Sequence, residues 1–309
     1  MKTILVTGSN GQLGNCIARL QNDFSQYKFL FADLPEIDIT SKKSLQKLAA
    51  PPSPPEGGDV AGASSFPPSG GLKGAVDFII NCAAYTAVDK AENDEGLCRN
   101  VNVEGVRCLA EFAKKNNARL IHISTDYVFN GESFLPLTEE THTSPIGVYG
   151  ITKLEGENAF RFSGASGVII RTAWLYSEFG NNFVKTMLRL GKERGELSVI
   201  FDQVGTPTYA GDLAEIILKI LPQIEKMEGV ETYHFSNEGV ASWYDFAKEI
   251  FDIAGLSVKV NPIETSQYPT PARRPHYSVL NKGKIKKDFS AEIPYWKESL
   301  RVCIERLKK

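Results

Sequence analysis

The sequence predicts an α/β chain: a doubly wound parallel sheet with helices on both faces, followed by a smaller α/β unit. Three observations carry this. An apolar β-branched run at the start passes straight into a glycine-rich turn and then a helical stretch. Further short apolar runs alternate with helical ones, the pattern of βαβ units and a parallel sheet. After Arg171 the alternation weakens, and the C-terminal stretch carries its own aromatic and aliphatic residues, enough for a second, smaller core.

Lys2-Thr3-Ile4-Leu5-Val6-Thr7 reads as a buried strand, followed by Gly8-Ser9-Asn10-Gly11-Gln12-Leu13-Gly14 and the helical Cys16-Ile17-Ala18-Arg19-Leu20. Strand, glycine turn and helix make the context of a dinucleotide fingerprint, because glycines let the backbone close on a pyrophosphate at a helix N-terminus. The spacing is G-x-x-G-x-x-G, so Gly8, Gly11 and Gly14 are the cofactor-turn candidates, with Gln12 and Leu13 between them. Phe29 to Asp33 reads as a second strand, and Asp33 follows Gly11 by 22 residues, where a carboxylate meets an adenosine ribose.

Ser41–Ala50 reads as a helix and Val76–Ala84 as a strand ending in small residues, which leave room for a cofactor at the strands' carboxyl ends. Glu95–Asn116 reads as one helix, Arg119–Thr125 and Gly167–Arg171 as strands, Asn181–Gly191 as a helix, and Val199–Thr208 as a strand and turn. Asp212–Leu221 is a helix, Tyr233–Ser236 adds a strand to the main sheet, and Trp296–Leu307 is the last helix. The expected organisation is a dinucleotide-binding domain over 1–175, with 204–238 returning to it, and a smaller substrate domain from 176–203 and 239–309. Pro51 to Gly74 interrupts it. With six prolines, six glycines and few large apolar side chains, this insert reads as a flexible excursion away from the cofactor crevice.

Composition narrows the function class. The chain has 309 residues, 42% of them apolar, and a formal charge of -2, with no basic block to act as a nucleic-acid footprint. No run of ~18 apolar residues suggests a membrane span or a signal segment. Five cysteines without C-x-x-C spacing and four scattered histidines suggest reduced thiols, a cytoplasmic location and no metal site.

The chemistry is carried by Tyr149 and Lys153, four residues apart and so on one helical face. A free tyrosine titrates near ~10, and a neighbouring ammonium lowers that value. Such a tyrosine can protonate a carbonyl oxygen as a hydride reaches the carbon.

The turn Thr7–Gly14, the run Ile123–Gly131 and Tyr149–Lys153 together resemble the extended short-chain dehydrogenases/reductases, whose nucleotide-binding domain is Rossmann-like. Ala83–Glu92, Arg171–Tyr176, Gly180–Phe183 and Pro269–Pro275 are similar, more specifically, to the dTDP-4-dehydrorhamnose reductase family. The resemblance spans nearly the whole chain outside the insert. It implies reduction of a nucleotide-sugar 4-ketone with NADPH or NADH, catalysed by Thr125, Tyr149 and Lys153: Thr125 bonds the ketone, Tyr149 protonates it, and Lys153 lowers the tyrosine pKa and holds the nicotinamide ribose. It implies cofactor contacts at Gly11, Gln12, Leu13, Asp38, Ile39, Ala83, Ala84 and Tyr85, and substrate contacts at Asp126, Trp174 and Asn182. Arg273 and Arg274 suit a diphosphate because guanidinium matches its oxygens in a fork.

Some members of the family are dimers bridged by magnesium through glutamates, but Asn15 and Cys16 follow Gly14 here, so the expectation is no metal, with a homodimer left open. Two rivals share the resemblance: another nucleotide-sugar reductase, epimerase or dehydratase of the superfamily, and a non-catalytic NADP-binding regulatory subunit. Dehydratases place Asp-Glu after the threonine, whereas Asp126-Tyr127 stands here.

Overall fold

The structure is a computed structural model that describes residues 1–49 and 76–308. The proline-rich insert expected over 51–74 lies outside the described residues.

The first half alternates as the sequence predicts. β1 (Lys2–Thr7) leads to α1 (Gln12–Leu20), β2 (Tyr27–Ala32), α2 (Lys42–Ala49) and β3 (Phe78–Asn81). Next come α3 (Val88–Ala91), α4 (Glu95–Arg99), a π-helical segment (Asn100–Gly105), α5 (Val106–Lys115), β4 (Arg119–Thr125), α6 (Val148–Arg161) and β5 (Ser166–Thr172). The later elements are β6 (Leu175–Tyr176), α7 (Phe183–Glu193), β7 (Glu196–Ile200), β8 (Val204–Gly205), β9 (Thr208–Tyr209), α8 (Ala210–Ile224), β10 (Val230–His234), β11 (Ala241–Ser242), α9 (Trp243–Ala254), β12 (Lys259–Ile263), α10 (Gly283–Phe289) and α11 (Trp296–Leu307).

Six strands form the main sheet in the order β2-β1-β3-β4-β5-β10, every pair parallel. Alternate strand residues serve opposite faces, as a pleated strand requires. Ile4, Val6, Ile80, Ile121 and Ile170 pack under α1 and α8, while Leu5, Ile79, Leu120 and Ile169 pack under α5 and α6. Burial on both faces explains the nearly continuous apolar runs of these strands.

A second core gathers Val184, Met187, Phe246, Ile250, Trp296, Leu300 and Ile304 from α7, α9 and α11 around the parallel pair β7 and β12. The chain does not stay there to its end, since Ile285 and Ala291 return to the core beneath the main sheet. The expected helix over Glu95–Asn116 is found as one helical stretch from Glu95 to Lys115, with a π-helical segment at Asn100–Gly105 in its middle. The cause is local. Asn102 is buried and holds the Tyr85 backbone, accepting from its N–H at 2.9 Å and donating to its carbonyl at 3.2 Å. π-Bulges of this kind concentrate at functional sites.

Candidate active site

The glycine turn needs glycine for steric reasons. Gly8 has φ +65°, and a Cβ there would lie 2.5 Å from the Ala83 nitrogen; at Gly14 it would lie 2.5 Å from the Ser9 Cα. The turn can therefore press against β3 and α1. Gly11 is the N-cap of α1 without a side-chain cap, and no acid occupies the first turn, so the first N–H groups are free for an anion. These features fit a dinucleotide pyrophosphate. From the end of β2, Asp33 steadies the turn, its carboxylate accepting from the Asn10 and Leu34 N–H groups at 2.8 and 2.9 Å.

Small residues continue the cradle. Asn81 closes β3, accepting from the Thr7 hydroxyl at 2.8 Å and the Ala83 N–H at 3.1 Å, and so sets the course of Cys82-Ala83-Ala84. Asp38 and Ile39 sit apart along the β2 side. The Asp38 carboxylate accepts from the Thr40 N–H and hydroxyl at 2.9 and 2.7 Å, while Ile39 is buried against Gly105.

Catalytic candidates converge because α6 is clamped onto the end of β4. Glu92 caps α6 by accepting from the Val148 N–H at 3.0 Å. A Cβ at Gly150 would lie 2.2 Å from the Tyr127 carbonyl oxygen, so only glycine lets the helix come this close. Thr152 is held by Cys98 and Asn102, each at 3.2 Å from its hydroxyl. Thr125 accepts from the Tyr127 N–H at 3.2 Å and donates to the Asp126 carboxylate at 3.0 Å. The Tyr149 ring meets Tyr127 edge-on at 5.4 Å.

One expectation changes here. Lys153 donates to the Ile123 carbonyl at 2.7 Å, and burial pushes the Tyr149 phenol above its ordinary range with only the Thr125 hydroxyl working against it. A phenol held protonated is nevertheless the form that a proton donor requires. Burial also lowers Lys153 to about 8, opposed by Glu157, and raises Asp126 to about 6, opposed by bonds from Ser278 and Thr125.

Glu157 lies one turn beyond Lys153. It accepts from Ser124 at 2.5 Å and from Arg171 at 2.9 and 2.7 Å. This buried cluster fixes α6 against β4 and β5.

A cavity of about 510 Å³ joins these parts, lined by Gly11, Gln12 and Leu13 of the turn, by Thr125, Asp126, Tyr149 and Lys153, and by Trp174 and Asn182, the last of which donates to Gln12 at 2.9 Å. Ala84 lines it as well, while Gly8, Gly14, Asp33, Asp38, Ile39, Ala83 and Tyr85 stand behind or beside it. Trp174 has φ +49°, a conformation that a bulky residue rarely adopts, and stacks on Trp243 with ring centroids 3.6 Å apart. The two arginines are not in this cavity. Arg274 forms a bidentate pair with Asp89 at 3.0 and 2.7 Å, and both arginines line a neighbouring pocket of about 240 Å³.

Sequence reasoning missed Asn81, Asn102, Glu157 and Trp243. Asparagine at a strand end and within a helix was the available signal, since both positions disfavour it. Among the described residues, no cluster of three or more His, Cys, Asp and Glu side chains could hold a metal ion, and no helix is long and apolar enough to cross a membrane.

The family model described as the RmlD substrate binding domain matches residues 1–309. The dTDP-4-dehydrorhamnose reductase of Aggregatibacter actinomycetemcomitans is 40% identical over 310 residues, covering 97% of this chain and 98% of the relative. This chain belongs to the dTDP-4-dehydrorhamnose reductase family. Two crystal structures of such reductases agree, each covering 99% of this chain and 100% of the other. That from Clostridium acetobutylicum has a TM-score of 0.87 at 40% identity, and that from Bacillus anthracis, in complex with NADP, has 0.87 at 36%. Membership makes the chain an NAD(P)H-dependent oxidoreductase.

Proposed function

We propose that the chain reduces the 4-keto group of dTDP-4-dehydro-L-rhamnose to give dTDP-L-rhamnose, a precursor of cell-surface polysaccharide. The observation that carries this is the single cavity linking the uncapped glycine turn to Thr125, Tyr149 and Lys153. Gly11, Gln12 and Leu13 would hold the pyrophosphate of NADPH or NADH, and Lys153 its nicotinamide ribose. When bound, the reduced nicotinamide supplies the hydride that reaches sugar carbon 4.

Thr125 positions the ketone oxygen by a hydrogen bond, and Tyr149 delivers its phenolic proton to that oxygen. Hydride and proton together convert the ketone to a secondary alcohol. Trp174, Asn182 and Asp126 would contact the sugar, and Arg273 and Arg274, from their adjoining pocket, the diphosphate end. Cytoplasmic location and a homodimer belong to the same proposal.

The test is product identity. Reaction of dTDP-4-dehydro-L-rhamnose with cofactor carrying deuterium at nicotinamide carbon 4 is expected to give dTDP-L-rhamnose deuterated at sugar carbon 4 by NMR. An epimerised or dehydrated sugar, or binding of cofactor without turnover, would replace this reading.

A further inference from the structure

Gln12 belongs to the cofactor turn, yet its side chain is not directed along it. As the first residue of α1 it offers its backbone to the cofactor end, while its amide crosses to the loop Leu175–Asn182. Its Oε1 accepts from the Ser177 hydroxyl at 3.0 Å and from the Asn182 Nδ2 at 2.9 Å, and its Nε2 donates to the Leu175 carbonyl at 3.4 Å. Gly180, at φ +60°, packs on the glutamine stem; a Cβ there would stand 3.2 Å from the Gln12 Cγ.

The loop is ordered around the same amide. Asn182 donates to the Ser177 and Phe179 carbonyls at 2.7 and 3.3 Å, and its Oδ1 caps α7 by accepting from the Lys185 N–H at 3.2 Å. Gly180, Asn181 and Asn182 in turn line the same cavity as Tyr149 and Lys153. One side chain thus spans the turn that meets the pyrophosphate and the wall that meets the sugar.

We propose that Gln12 is a positioning residue that couples the two halves of the site. A pyrophosphate held at the N-terminus of α1 fixes Gln12, and Gln12 fixes the Leu175–Asn182 wall against which the nucleotide sugar binds. Coupling of this kind is reciprocal: cofactor tightens nucleotide-sugar binding by the same factor as nucleotide sugar tightens cofactor binding. The inference rests on the reading of the cavity given under Proposed function.

The experiment titrates dTDP-L-rhamnose into the full chain with and without saturating NADPH, a pair that cannot react. Wild type is expected to gain about fivefold or more in affinity when NADPH is present, the lower range of measured site-to-site couplings. Gln12→Met, which keeps the stem and removes the amide, should reduce that gain to about twofold or less, with Ser177→Ala between the two. In turnover assays the Gln12→Met enzyme should show a larger rise in KM for the sugar than fall in kcat, a split that general loss of packing would not produce. A wild type without the gain, or a Gln12→Met protein that keeps it, overturns the proposal. If Gln12→Met does not fold, Ser177→Ala decides, and an undiminished gain there also overturns it. Turnover by the same wild-type preparation separates the two claims, since reduction without coupling sinks only the clasp.

Discussion

Two regions of the site are built differently. The part proposed for the cofactor is made of backbone and of missing side chains: Gly8, Gly11 and Gly14, the free N–H groups of α1, and Cys82 to Ala84. The part proposed for the sugar is made of side chains from distant loops, with Trp174 stacked on Trp243, and the separate pocket that holds Arg274 is built the same way, Arg274 pairing with Asp89 across 185 residues of sequence. In the first a single added carbon is intolerable, and in the second a lost contact is felt in affinity. The same contrast orders the expected effects of mutation.

The largest effect belongs to the backbone end. Gly8→Ala forces a side chain into φ +65° and into the Ala83 backbone at 2.5 Å. The strain and clash together are on the order of 3 kcal/mol, so NADPH affinity should fall by about 10²-fold or more. Isothermal titration checks this, and near-normal binding would mean that the turn does not press on β3.

The boundary between the ends is Lys153, lowered by burial to about 8. Its ammonium is lost as pH rises through that value, and with it the charged contact proposed to the nicotinamide ribose. The pH profile of kcat/KM should therefore fall above about pH 8, approaching tenfold per pH unit, with the limb absent in Lys153→Met. Activity that stays level to pH 10 would deny the lysine a charged role.

The side-chain end should respond more mildly. Trp243→Leu removes the stack that holds Trp174, worth up to about 1.5 kcal/mol, so KM for the nucleotide sugar should rise by about tenfold while the KM for NADPH barely moves. Equal changes in both constants would show that the tryptophan pair supports the whole fold and not one end of the cavity.

Cofactor choice should show the smallest difference. Both Asp33 oxygens accept backbone N–H groups, which offsets part of their repulsion toward a 2'-phosphate. The kcat/KM ratio for NADPH and NADH should stay well within about 10³-fold, roughly 4 kcal/mol. A larger preference would show that an unrecognised group reads the 2'-position.

The same contrast explains what could be read from the sequence. The glycine turn, the strand ends and Tyr149–Lys153 are local patterns whose spacing carries their geometry, and the structure brings them to one cavity. The partners of Arg274 and Trp174 depend on how remote loops meet, and no local spacing encodes Asp89 against Arg274 or Trp243 against Trp174. The direction of the Tyr149 shift was likewise out of reach, because it depends on burial, which follows from how α6 packs on remote elements. Asn102 was overlooked for a related reason: its value lies in holding Tyr85, 17 residues away, from within the π-helical segment.

Tyr149 is the proposed proton donor, where the cofactor and sugar parts of the site meet. Single-turnover oxidation of bound NADPH by dTDP-4-dehydro-L-rhamnose in Tyr149→Phe, alongside its NADPH dissociation constant, tests this most directly. The expected result is a rate lower by about 10²-fold or more with cofactor affinity within a few-fold of wild type, because the phenol touches the reacting oxygen and not the pyrophosphate. A rate close to wild type would contradict the account and assign the proton to another group.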